Sequence, residues 1–341
     1  MTPNMRRCRL IIAFGCMGIF GQPGSSTAQL LARSGDHFTV NGVGQFILFV
    51  SYFHGLERPA ETLSADFSWL ESKGVMGVRV WPNATNPRLM RSNGQLDVMA
   101  LRRLTSIVAQ AARRGMIVDM TFTRESVPLL PNDHAFTIAE YRQAITSTAN
   151  ALRDRRNILF DLQNEWNNQA MTIADLNAIR SAVRSRHPAL LVTASTSGNS
   201  YPEAAVNAFD VLAYHGSRDD AGRWADETGE IVAGLRAELA RTPRRVAPIY
   251  LQEPNRFRYP ADSLNYYDNT TAHYWTSAQK AKMAGAAGWT FHTAASFNLS
   301  SSTPLSELLL PGERDVLESL AAKLSQQSIW GIQTDDRAGS R

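Results

Sequence analysis

Eight short apolar runs recur along the chain, and nearly all are followed by a stretch with helical periodicity. No other feature of the sequence constrains the fold as much. The runs cover residues 46–53, 75–81, 116–122, 158–162, 190–194, 211–214, 246–251 and 288–291. Runs of this length without a polar face are strands buried on both sides, as in a parallel sheet covered by helices. The helical stretches cover residues 64–73, 97–114, 137–155, 172–186, 226–241, 276–284 and 312–327. Ser64, Asp97, Thr137 with Glu140, and Thr172 with Asp175 are capping residues suited to helix starts. The fifth unit is the thinnest, since residues 195–208 leave room for only a short helix. Eight such units predict an α/β chain folded as a (β/α)8 TIM barrel, one domain over residues 29–331.

The two ends read differently. Residues 37–40, the turn pair Asn41-Gly42 and the run 46–53 predict an N-terminal β-hairpin that plugs the barrel floor. Residues 1–28 carry Arg6, Arg7 and Arg9, an apolar stretch over 10–20 and a small-residue end at Ser26-Thr27-Ala28, the pattern of a cleaved signal peptide. An uncleaved anchor is the alternative. Export to a secreted or periplasmic location follows. The mature chain then lacks both cysteines, Cys8 and Cys16, and with them any disulfide or thiol nucleophile. Those three arginines account for most of the formal charge of +4, so the body is close to neutral, with four lysines. That balance gives no footprint for nucleic acid, and no membrane contact is expected after cleavage. Residues 332–341 form a polar tail.

In a barrel of this kind, reactive groups lie where a strand ends and its βα loop begins. The fourth run ends in Asn164-Glu165-Trp166, and the seventh in Gln252-Glu253-Pro254. Two carboxylates facing each other across a barrel mouth suit glycoside hydrolysis, one protonating the leaving oxygen and the other attacking the sugar carbon. Arg79 inside the second run cannot stay buried without a carboxylate partner. His215 follows Tyr214, which strand alternation turns to the opposite face. Trp81 and Trp289 stand near strand ends, as core residues or as platforms.

The pattern resembles glycoside hydrolase clan A, the retaining cellulase-like barrels that include family 5. The likeness rests on Asn164-Glu165, Glu253, Arg79, Tyr214-His215 and Trp289, and it spans the mature chain. It implies Glu165 as general acid and base and Glu253 as nucleophile. It implies Asn164 on the sugar 2-hydroxyl, Arg79 and His215 steering the nucleophile, and Trp289 as a stacking floor. Glu165 must then hold a proton near neutral pH, which calls for a dry setting against Trp166, while a guanidinium keeps Glu253 ionised. Direct attack sets the two carboxyl carbons about 5 to 5.5 Å apart. The sequence departs from the clan at Trp166, where many relatives have Pro, at Pro254, and at the third strand end, Thr121-Phe122-Thr123-Arg124, which lacks the His that many relatives place there.

Other chemistries fit less well. A catalytically inactive carbohydrate-binding barrel remains the alternative function. No lysine stands at a strand end for a Schiff base, and residues 294–301 are not a glycine-rich phosphate loop. His54, His273 and His292 show no ligand spacing, so neither a metal nor another cofactor is expected. Asp119 reads as a buried structural acid. Asn83, Asn269 and Asn298 open glycosylation triplets, and residues 254–267 are rich in sugar-binding side chains or simply form a packed loop.

Overall fold

The computed structural model describes residues 30–124, 136–169, 171–218, 222–244, 246–258 and 269–326. Residues 1–28, read as a signal peptide and carrying Cys8 and Cys16, the polar tail and residues 259–267 of the aromatic loop lie outside them. Among the described residues no helix is long and apolar enough to cross a membrane.

The chain opens with β1 (Leu31–Ser34), β2 (His37–Val40) and β3 (Val43–Gln45), and enters the barrel at β4 (Ile47–Ser51). Then come α1 (Ala60–Ser72), β5 (Gly77–Val80), α2 (Val98–Arg113), β6 (Ile117–Thr121), α3 (Ile138–Ala151) and β7 (Ile158–Asp161). They are followed by α4 (Ile173–Arg186), β8 (Leu191–Thr193), the short α5 (Glu203–Val206), β9 (Leu212–Tyr214) and α6 (Arg223–Ala240). The chain ends with β10 (Ile249–Leu251), α7 (Thr271–Met283), β11 (Gly288–Phe291), α8 (Leu305–Leu308) and α9 (Pro311–Gln326). All eight apolar runs become parallel barrel strands, in the order β8-β7-β6-β5-β4-β11-β10-β9. A parallel bridge between Thr196 and Tyr214 closes the barrel from β8 to β9.

Three expectations change in detail. The Asn41-Gly42 turn is present, with φ of 54° and 82° as a tight hairpin turn requires. It joins β2 to the short β3, however, within a three-stranded antiparallel sheet that also includes β1. The floor element is therefore one strand larger than a hairpin. Ser64 lies inside α1, because the helix starts one turn earlier behind Pro59. Two of the three glycosylation triplets are closed: Asn83 and Asn269 are buried, with their side-chain amides donating to the Thr123 and Arg256 carbonyls.

Strand alternation divides the barrel residues into layers. At the floor, Ile47, Phe49, Ile117, Leu159, Leu191, Val211, Ala213 and Tyr250 pack with Leu31, Phe38 and Val40 of the small sheet. One pleat higher the interior turns polar: Ser51, Arg79, Asp119, Thr121, Asp161, Thr193, Gln252 and Thr290, with His215 and His292 just past their strand ends, are all buried. The alternate residues face outward into the core beneath the helices. The apolar floor is what makes the polar upper layer affordable, because groups above it meet one another rather than bulk water.

Candidate active site

Glu253 follows β10 by two residues and is 6% exposed. Its Oε2 accepts from Arg79 at 2.5 Å, and its Oε1 accepts from Arg218 at 2.5 Å. Arg79 rises from β5 inside the barrel and is fully buried. It also donates to Thr121 Oγ1 at 2.9 Å and Asn164 Oδ1 at 2.9 Å, with Asp119 and Asp161 each 3.9 Å away. Burial opposes charge on Glu253, yet His215, Arg218 and Arg79 hold its carboxyl well below the usual carboxylate range. His292 adds little to this: burial pushes it down to about 3, so it is neutral where Glu253 is charged.

Glu165 stands just past β7 with φ of 48° and ψ of 49°, a left-handed conformation that glycine takes more readily. Its Oε1 lies 2.8 Å from His215 Nδ1, and its side chain is 26% exposed. The hydrogen bond to His215 holds the carboxyl below its ordinary value, against the upward pull of burial and of Glu253. This corrects the expectation of a dry, proton-holding setting at Trp166, since the imidazole dominates. The Gln252 amide nitrogen donates to Asp119 at 2.8 Å, so its oxygen faces His215 Nε2 at 3.3 Å, and the Arg79 guanidinium lies 3.5 Å from the same ring nitrogen.

Glu165, Asn164, His215, Arg79 and Glu253 thus converge on one end of the barrel. Trp81 adjoins them, stacked on Phe53 with ring centroids 4.3 Å apart and with the Arg79 guanidinium 5.6 Å from its ring. Trp289 does not converge. It pairs in register with Leu48 and Leu251, points outward with them into the core beneath the helices, and donates to Ser277 of α7 at 3.1 Å. It is fully buried and forms no floor. Asp119 is buried and hydrogen-bonded as expected, and burial pushes its carboxyl up to about 7. In the described part of the loop after β10, Asn255 and Arg256 are buried and Phe257 stacks on Tyr274 of α7.

Sequence reasoning missed Arg218, which lies beyond a strand end where periodicity gives no guide, and Gln252, noticed only as the neighbour of Glu253. It also missed the wall beside Glu165. There a cavity of about 360 Å³ is lined by Glu165, Asn168, Asn199, His215, Ser217 and Arg218, among others. Asn167 and Ser197 are joined by three hydrogen bonds, and Gly216 donates to the Gly198 carbonyl at 3.0 Å. The loops after β7, β8 and β9 are thereby tied into one wall.

One ligand atom from each of Glu165, His215 and Glu253 falls within 4.8 Å of the others, close enough for a metal ion. The donor set argues against a cation, because both oxygens of Glu253 already meet guanidinium groups.

No family model matches the sequence, and no curated protein matches it. Solved structures do. A glycoside hydrolase family 5 protein from Bacteroides vulgatus superposes with a TM-score of 0.62 at 15% identity, over 85% of this chain and 71% of that one. A family 5 mannosidase from Rhizomucor miehei gives 0.61 at 15% identity, over 89% and 99%. A GH5_18 protein from Streptomyces cattleya, in complex with GlcNAc, gives 0.59 at 15% identity, over 84% and 82%. The fold is that of the family 5 glycoside hydrolases. At such low identity the likeness is one of fold, and the chemistry has to be argued from the side chains above.

Proposed function

We propose that the protein is an exported retaining β-glycoside hydrolase. The observation that carries this reading is the pair of carboxylates with carboxyl oxygens within 4.8 Å of each other and unlike surroundings. Glu253, ionised between two guanidiniums, attacks the anomeric carbon. Glu165 gives the leaving oxygen its proton. A sugar in the cleft covers the exposed part of Glu165 and strengthens its hold on that proton, since burial favours the neutral carboxyl. A water then releases the sugar from Glu253, with Glu165 taking the water's proton. Asn164 and the polar wall offer hydrogen bonds to hydroxyl groups, and the half-buried Trp81, backed by the buried Phe53, offers a ring. The carbohydrate ligands of the structural neighbours agree with a sugar substrate. Export rests on residues 1–28.

The lowered pKa of Glu165 in the free site is the observation that favours a second reading, a barrel that binds sugar without cleaving it. Turnover of aryl β-glycosides and polysaccharides by the wild type and by Glu165→Ala and Glu253→Ala separates the two. Hydrolysis should proceed with retention of anomeric configuration by NMR, and each variant should lose about a thousandfold or more in kcat. Binding without turnover across the panel, or full activity in both variants, would reject the hydrolase.

A further inference from the structure

The two guanidiniums on Glu253 are not equivalent. Arg79 is fully buried, fixed by Thr121 and Asn164, and flanked by Asp119 and Asp161. When Glu253 becomes a neutral ester, those two acids remain beside Arg79. Arg218 comes from the loop after β9, and its side chain is 28% exposed. It donates to Oε1 and, at 3.2 Å, to the Glu253 carbonyl, and it lines the same cavity as Glu165. The wall behind it is tied by the Gly198–Gly216 bridge.

Formation of the glycosyl-enzyme moves one negative charge across the cleft. A bond forms from a Glu253 carboxylate oxygen to the anomeric carbon, the bond to the leaving oxygen breaks, and that oxygen takes the proton of Glu165. Glu253 loses its charge and Glu165 gains one. Hydrolysis of the ester reverses both changes. We propose that Arg218 is a positioning residue that follows this charge, paired with Glu253 while that carboxylate is free and with Glu165 once Glu253 is esterified. This rests on the hydrolase reading. Arg218 already acts on both carboxyls, lowering Glu253 and Glu165 alike in direction. Among the described residues, Arg79, His215, His292 and Glu165 also act on the Glu253 carboxyl.

Glu253→Gln neutralises the side chain as the ester does, so the test does not depend on turnover. The Glu165 carboxyl is titrated by ¹³C NMR in the wild type, Arg218→Met, Glu253→Gln and the double variant. Loss of Arg218 should raise the Glu165 pKa by at least one pH unit more in the Glu253→Gln background than in the wild type, a tenfold difference in proton affinity. Equal shifts in the two backgrounds would overturn the proposal, and equal shifts are what a merely structural arginine would give. Arg218→Lys, which keeps the charge, should restore part of the shift. If Glu253→Gln does not fold, Glu253→Ala serves as the neutral background. Failure of the wild type to cleave any glycoside would reject the function, and the titration would still decide the pairing of Arg218.

Discussion

Glu165 holds a backbone conformation that its own side chain disfavours, with φ of 48°. Glycine in place of alanine normally weakens a folded protein; at this position the order should invert. Glu165→Ala and Glu165→Gly both remove the carboxylate and its bond to His215, so the difference between them reports the backbone alone. Glu165→Gly should be the more stable by about 1 kcal/mol in urea denaturation, and alanine equal or better would mean that the site stores no strain. Glu165 and Glu253 were legible in the sequence because each ends an apolar run, and the end of a parallel barrel strand has to point into the mouth. Arg218 lies four residues past its run, where the pleat no longer sets direction. Trp289 was misread for a related reason: a strand buried on both faces does not reveal its inward parity, and only the register with Leu48 and Leu251 turns the indole outward.

The elements themselves were largely legible. Every run became a strand, and the capping boxes of Thr137 with Glu140 and Thr172 with Asp175 start α3 and α4 as expected. The lapses fall where local chemistry gives way to tertiary contact. Strand β1 is polar at its exposed end and is held by pairing with β2 and by Leu31 donating to the Arg156 carbonyl at 2.9 Å. The small sheet matters to the barrel through Phe38, which is fully buried and meets the Tyr250 ring edge-on at 6.1 Å. Nothing else of comparable size in β1 to β3 enters the floor layer. Phe38→Ala should therefore cost about 3 to 5 kcal/mol, read as an earlier denaturation midpoint. A loss below about 1 kcal/mol would show that the sheet lies over a floor able to close without it.

At the scale of the whole molecule, the barrel buries titratable groups whose effects on stability oppose one another. Asp119 is pushed up to about 7 by burial, so between about pH 4, where an unfolded aspartate titrates, and pH 7 the folded protein binds a proton that the unfolded chain does not. Its contribution therefore falls as pH rises through that window. Asp161, raised in the same direction, adds to the fall. His292, pushed down to about 3, does the reverse, because the unfolded imidazole is protonated below about pH 6.5 while the folded one is neutral. Glu165 and Glu253 are both lowered, so their contributions are complete above about pH 4.5 and lost only at lower pH. The opposing slopes flatten the wild-type profile, so the informative quantity is the difference between proteins. Asp119→Asn removes one slope, and its stability relative to the wild type should improve steadily from pH 4 to pH 7, by up to about 4 kcal/mol. Urea denaturation at several pH values measures that difference. A value independent of pH would mean that Asp119 stays ionised beside Arg79 throughout, and that the polar layer is held by fixed ion pairs rather than by shared protons.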